Sequence, residues 1–208
     1  MKKNLKTTIE TYDEIAHHYK QKTKNLELVE EIKKFKKFLP ESSKVLDAGC
    51  GWGRDSKILS KTSKVIGIDL SEKLLDLARA YAPDAKFQIG NISKTTFKDE
   101  SFHGIWSNDT LIHLDRKDIL PTLKEFHRLL KKNGILYISV KEGVGEGYEE
   151  EEMSNYKPRF YTWFKQDEIV LYFKKAGFRI IETEVFYEKK KIGLKRNLGI
   201  ITCFVEKI

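Results

Sequence analysis

Cysteine is almost missing from this chain of 208 residues: Cys50 and Cys203 are the two, and neither has a spaced partner of the kind a metal site needs. So little cysteine argues against a disulfide framework, and a reducing cytoplasm is the expected compartment. No apolar run approaches the ~18 residues of a membrane span, so no membrane partner is expected. The opening stretch MKKNLKTTIE is too polar to read as a signal peptide. Internal repeats and long Pro- or Gly-rich linkers are absent too. The expectation is one domain over residues 1–208, large enough to bury its own core. What the chain does have is charge, 34% beside 40% hydrophobic residues, the mixture of an ordinary globular protein.

The net charge of +8 sits at the two ends. Residues 1–40 hold ten Lys/Arg against six Asp/Glu, and residues 186–208 hold six against two. Residues 41–185 hold 23 of each sign and are neutral. Basic ends can meet a phosphate backbone, or they can be solvated lysine-rich faces. Charge alone does not choose between them.

Residues 1–40 read as a helical cap: TYDEIAHHYK, then NLELVEEIKKFKKFL with Leu26, Val29, Ile32, Phe35, Phe38 and Leu39 at helical spacing, stopped by Pro40. From residue 41 short apolar runs alternate with helical patterns. The runs are KVLDA (44–48), KVIGID (64–69), AKFQI (85–89), FHGIWS (102–107) and GILYISV (134–140). The helices fall at roughly 53–61, 71–81, 116–132 and 165–176. That alternation predicts a parallel sheet with helices on both faces. The end differs. FRIIETEVFYEKK and LGIITCFVEKI follow one another with no helix between them and should pair as an antiparallel hairpin, giving seven strands.

VLDAGCGWG lies where the first strand hands over to the first helix. Glycines there let a ligand approach the backbone closely, and the helix start offers free N–H groups. A G-x-G-x-x-G dinucleotide fingerprint would need a third glycine at 54, where Arg54 stands. The pattern is instead G-x-G-x-G after Asp47. An acid beside such a turn repels pyrophosphate but suits a ligand with both an ammonium and a carboxylate. Asp69 closes the second strand, where it can accept hydrogen bonds from both ribose hydroxyls or cap the next helix, although Ser71 is the better cap. Asn91 and Ile92 follow the third strand and can meet an adenine edge and face, or Asn91 can serve only as a turn residue. Amino acid, ribose and adenine in that order describe S-adenosylmethionine.

VLDAGCGWG, VIGIDLS, GNIS, FHGIWSNDTLIHL and LLKKNGILYISV together resemble the class I S-adenosylmethionine-dependent methyltransferases, over nearly the whole chain. The resemblance implies a Rossmann-like α/β fold ending in the antiparallel hairpin, with release of S-adenosylhomocysteine. It also implies cofactor binding by the residues at Asp47, Gly49, Gly51 and Asp69. The cofactor set expected here is Tyr19, Asp47, Ala48, Gly49, Cys50, Gly51, Arg54, Asp69, Leu70, Asn91, Ile92 and Asn108, with no metal. Where the family often has Asp after the third strand, this chain has Asn91.

The acceptor site is expected around residues 108–113 and a lid-like loop over 141–164. The sequence SNDTLIHL lacks the Pro-Pro-aromatic element usual in methylation of DNA base amines. His113 is the candidate general base or a packed histidine; methyl transfer needs chiefly in-line alignment. Asp109, His113, Lys141, Arg159, Tyr161 and Trp163 are the candidate acceptor residues, and the alternative is a solvated acidic loop anchored by core aromatics. Tyr12 and Tyr19 share a helical face and either close the site or pack in the core. A small-molecule acceptor for O-, N- or S-methylation is the leading expectation. RNA or protein docked on the basic ends, or a non-catalytic partner subunit, are the alternatives.

Overall fold

A computed structural model describes residues 2–26, 28–187 and 198–208. Two helices come first, α1 (Lys3–Thr23) and α2 (Val29–Lys37). Then follow β1 (Lys44–Ala48), α3 (Arg54–Leu59), β2 (Lys64–Asp69), α4 (Glu72–Tyr81), β3 (Lys86–Ile89), β4 (Phe102–Asn108), α5 (Arg116–Leu129) and β5 (Leu130–Lys141). A two-stranded piece, β6 (Glu146–Glu150) and β7 (Pro158–Thr162), precedes α6 (Gln166–Lys175), β8 (Phe178–Tyr187) and β9 (Gly199–Lys207).

The main sheet has seven strands in the order β3-β2-β1-β4-β5-β9-β8. The first five are parallel, and β9 runs antiparallel between β5 and β8. The chain steps outward from β1 to β3, then jumps back to β4. Ligands of open α/β sheets bind at such a reversal, beside the strands' carboxyl ends.

Strand β1 is buried on both faces, as expected of an interior parallel strand. Val45 joins Ile32, Phe35, Leu59, Trp106 and Tyr137 on the α2–α3 side. Leu46, its neighbour with opposite pleat, joins Ile105, Ile119, Leu123, Phe126 and Phe173 on the α5–α6 side. No helix among the described residues is long and apolar enough to cross a membrane.

Most elements fall where periodicity puts them, and three differ. Helix α1 is far longer than TYDEIAHHYK, and α2 starts only at Val29. Glu27, inside the expected second helix, and residues 188–190 of the first hairpin run lie outside the described residues, as does part of the basic stretch 186–208. Helix α5 stops at Leu129 instead of 132, because Leu130 turns extended and pairs with Phe102.

The third difference bears on the site. Residues 141–164 do not form a loop: Lys141 ends β5, and β6 and β7 pair antiparallel with Tyr148 opposite Phe160. This hairpin is fastened to α1. Phe160 N–H donates to Thr8 Oγ1 (2.9 Å) and the Thr11 hydroxyl to the Pro158 carbonyl (2.8 Å). Lys157 pairs with Glu14 (2.6 Å), and Lys22 with Glu152. Helix and hairpin together roof the carboxyl ends of the parallel strands.

Candidate active site

The glycine turn is built by the sheet. Gly49 and Cys50 N–H both donate to the Ile68 carbonyl (2.8 and 3.0 Å), tying the end of β1 to β2. Gly49, Gly51 and Gly53 all have left-handed φ, +80°, +53° and +82°. A Cβ on Gly49 would strike Thr110 at 2.2 Å, whereas a Cβ on Gly51 would enter open space. Gly49 is thus glycine for packing, and Gly51 lies bare toward a cleft.

The space in that cleft, counting the part open to solvent, is about 690 Å³. Gly49, Gly51, Asp69, Leu70, Asn91, Ile92 and Asn108 line it from the sheet, and Tyr12 and Tyr19 from α1. Asp47, Cys50 and Arg54 line a smaller recess that shares Gly49, Gly51 and Asn108 with it. Ala48 lines neither: it is fully buried behind the turn, and its carbonyl accepts from the Thr110 hydroxyl (3.0 Å).

Asp69 is held by two amides, Gly51 N–H on Oδ2 and Ser71 N–H on Oδ1, each at 2.9 Å. Each oxygen keeps further accepting capacity toward the cleft. Burial pushes its carboxyl upward, against the pull of those amides. The helix cap is Ser71, whose Oγ accepts from Leu74 N–H (3.1 Å), so Asp69 is not spent on capping. Asn91 does make a turn, accepting from Ser93 N–H on Oδ1 (2.9 Å), while still facing the cleft.

Asp47 is 2% exposed, and its Oδ2 accepts from the Ser56 hydroxyl (2.5 Å). Burial first, then the neighbouring Asp55, push it up to about 8. Arg54 turns onto Asp55 (2.7 and 3.1 Å), whose other donor is Trp106 Nε1–H (2.9 Å). Asp55 thereby anchors the rim of the recess, a role with no mark in the sequence beyond its place beside Arg54.

A second cavity, about 780 Å³ counting the part open to solvent, meets the cleft at the end of β4, sharing Tyr12, Tyr19, Asn108, Asp109 and His113 with it. Lys141, Arg159 and Tyr161 line its far part. Trp163 lines neither cavity. Strand β7 ends at Thr162, so the alternation that turns Arg159 and Tyr161 inward stops short of it, and its ring packs on Gly143. The run of glutamates at 149–152 is also unequal: Glu149, Glu150 and Glu152 are exposed, but Glu151 Oε1 accepts from Arg159 and from the Tyr161 hydroxyl (2.6 Å), with Lys141 Nζ at 3.5 Å.

His113 does not fit the role of a general base. Its Nδ1 lies 2.7 Å from the Phe160 carbonyl, which can only accept, so Nδ1 carries the hydrogen. Nε2 therefore accepts from the Tyr12 hydroxyl (2.9 Å), and Tyr12 in turn accepts from Arg159 (2.7 Å). Burial, reinforced by the Arg159 and Lys141 cations, lowers His113 to about 3. The histidine is a neutral, doubly bonded joint between α1, the end of β4 and β7.

This has a consequence for stability. Between about 3 and the ordinary histidine value of about 6.5, the unfolded chain binds a proton that the folded chain refuses. Stability contributed by a neutral His113 therefore falls as pH drops below about 6.5, with a slope approaching about 1.4 kcal/mol per pH unit. Chemical denaturation between pH 6 and 4 should show a shallower decline for His113→Asn than for the unsubstituted protein. Parallel declines would mean that His113 titrates normally.

Residues 45–134 match the model of a family described as a methyltransferase domain. Over 132 residues the chain is 33% identical to a demethylmenaquinone methyltransferase of Chlorobaculum parvum, covering 62% of this chain and 54% of that protein. It spans about half the length of the curated relatives it matches. A SAM-dependent methyltransferase structure from Methanosarcina mazei superposes with a TM-score of 0.72 at 22% identity, covering 83% of this chain and 96% of that one. The Burkholderia thailandensis 1,6-didemethyltoxoflavin-N1-methyltransferase, solved with 1,6-didemethyltoxoflavin and S-adenosylhomocysteine, gives 0.70 at 21% identity, covering 96% and 87%. Sheet order, glycine turn and family match agree: the chain has the fold of these S-adenosylmethionine-dependent methyltransferase structures, and its residues 45–134 match the methyltransferase-domain family.

Proposed function

We propose that this protein, acting as one domain, transfers a methyl group from S-adenosylmethionine to O, N or S of a small-molecule acceptor. The observation that carries the reading is the meeting of two roofed cavities at the carboxyl end of β4, one ringed by the glycine turn and Asp69, the other by Lys141, Arg159 and Tyr161. The relative from Chlorobaculum parvum is named for a small-molecule acceptor, which supports the same class here.

In this reading Asp69 accepts both ribose hydroxyls, and Asn91 and Ile92 meet the adenine. The bare backbone at Gly51 lets the amino-acid portion pass, with Asp47, Cys50 and Arg54 around it. Once bound, the sulfonium supplies an electrophilic methyl carbon. The protein's part is to align the acceptor with it, and alignment alone accounts for much of such a rate. Asn108, steadied by the Ser139 hydroxyl (2.6 Å), and Tyr12 border the junction where acceptor and methyl would meet. The roof of helix and hairpin narrows the approach to this junction, which favours a small acceptor over a polymer.

Titration calorimetry with S-adenosylhomocysteine should show micromolar binding, and labelled cofactor mixed with a cell extract should mark metabolites and not macromolecules. No binding at all would end the reading. The state of Asp47 adds a finer test. With its carboxyl at about 8, it holds its proton at pH 7, and an ammonium drawn against it would displace that proton. Binding at pH 7 should therefore release about one proton, read from calorimetry in buffers of different ionisation enthalpy. Asp47→Asn should abolish the release, and an absence of release in the unsubstituted protein would remove Asp47 from contact with the ammonium.

A further inference from the structure

Two buried hydrogen-bond donors in the second cavity have no partner. Tyr137 is fully buried in β5, its ring stacked on Trp106 (centroids 3.8 Å apart) and packed on Phe204 (5.0 Å), and its hydroxyl meets no acceptor. Phenylalanine would keep both ring contacts and spare the chain a desolvated, unbonded hydroxyl, which is destabilising. Arg159, 2% exposed, lies over the rings of Tyr12 and Tyr161 and donates through its terminal nitrogens to Tyr12 and Glu151. Its Nε–H is left unbonded.

The two groups stand far apart on the cavity wall. Tyr137 and Lys141 are four residues apart on one face of β5, roughly 13 Å along the strand. Arg159 shares Glu151 with Lys141, so it belongs to the far end. The lining is apolar at Leu28, which packs on the cluster of Tyr137, at Ile200, opposite Lys141 in the sheet, and at Ile112. The cleft of the cofactor opens from the same wall, at Tyr12 and Asn108.

We infer that the acceptor has an apolar body with a hydrogen-bond-accepting oxygen, of a carboxylate, carbonyl or phenolate, toward each end, one taken by the Tyr137 hydroxyl and the other by Arg159 Nε–H. This rests on the second cavity being the acceptor site, and it names the chemistry the site selects. Unpaired buried donors of this kind discriminate strongly, because a ligand lacking the matching acceptor leaves them unpaired.

The test uses the full chain saturated with S-adenosylhomocysteine and three probes on one scaffold: naphthalene-2,6-dicarboxylate, 2-naphthoate and 2-(aminomethyl)naphthalene. The dicarboxylate should bind at least tenfold more tightly than the monocarboxylate, and the amine should be weakest. Tyr137→Phe should reduce dicarboxylate affinity at least tenfold and leave S-adenosylhomocysteine affinity unchanged. Without probe, it should raise the melting temperature by about 2–5 °C. Arg159→Lys, which keeps the charge but removes Nε–H, should weaken the dicarboxylate to a similar degree. The inference is overturned if no probe binds, if the amine binds best, if neither variant changes probe affinity, or if Tyr137→Phe lowers the melting temperature. Failure to bind S-adenosylhomocysteine would instead strike the methyl-transfer reading. The effect of Tyr137→Phe on melting and the probe ranking, repeated without it, would still decide this one.

Discussion

Asp69→Ala should weaken S-adenosylhomocysteine binding by about two orders of magnitude while leaving the protein folded. The carboxylate is fixed before any ligand arrives: one oxygen takes Gly51 N–H and the other Ser71 N–H, both at 2.9 Å. With its direction set, each oxygen can accept one ribose hydroxyl without paying for side-chain ordering. Hydrogen bonds to a charged group contribute about 1.5–3 kcal/mol each, so losing two costs about 3 kcal/mol or more, near a hundredfold in affinity. Folding should suffer much less. Burial already raises the Asp69 carboxyl, so its stabilising influence is greatest at acid pH and is lost as pH rises through its folded value. Removing it at pH 7 therefore removes an unfavourable buried charge along with two amide bonds. The melting temperature should stay within about 4 °C, roughly 1 kcal/mol. Calorimetry and a thermal scan on the same sample decide it; unchanged affinity would take Asp69 out of the ribose site.

The candidate cofactor cleft was legible as a place in the fold because its parts are local. A strand end, a glycine turn and an acid at the next strand end each have a short signature, and the parallel sheet brings consecutive strand ends together without further information. The closing hairpin was legible for the same reason, as two strand-like runs with no helix between. The second cavity, the candidate acceptor site, was not. Its shape depends on Arg159 meeting Tyr12 across 147 positions and on Tyr12 meeting His113 across 101. Such polar contacts leave no periodic trace. Strand β6 was hidden because EGYEE is almost wholly exposed and lacks apolar alternation, so it is held as a strand by pairing with β7. Glu151 looked like one member of a solvated run, and Tyr137 like one more aromatic of a core strand. Only the surroundings of each distinguish them.

Gly49→Ala should be the most damaging single methyl in the chain's glycine turn, and its cause can be separated into two parts. The new Cβ would lie 2.2 Å from Thr110 Cγ2 and Oγ1 and 2.7 Å from Thr110 Cβ. Thr110 cannot simply rotate away, since its hydroxyl donates to the Ala48 carbonyl (3.0 Å) directly behind the turn. Overpacking of this kind costs about 1–3 kcal/mol, and a left-handed φ of +80° on a residue with a side chain costs about 1–2 kcal/mol more. Together they predict a melting temperature lower by about 5–15 °C at this chain length, with loss of S-adenosylhomocysteine binding. Thr110→Gly in the same background removes the obstructing atoms but not the backbone strain. The double variant should therefore recover the overpacking part, a coupling of about 1–3 kcal/mol in a double-mutant cycle. Additive losses would mean that the turn and Thr110 do not press on each other, and that Gly49 is glycine for its backbone conformation alone. Gly51→Ala is the control within the same turn: its Cβ meets nothing within 4 Å, so it should fold nearly as well and still bind poorly, because the methyl would occupy the path of the ligand.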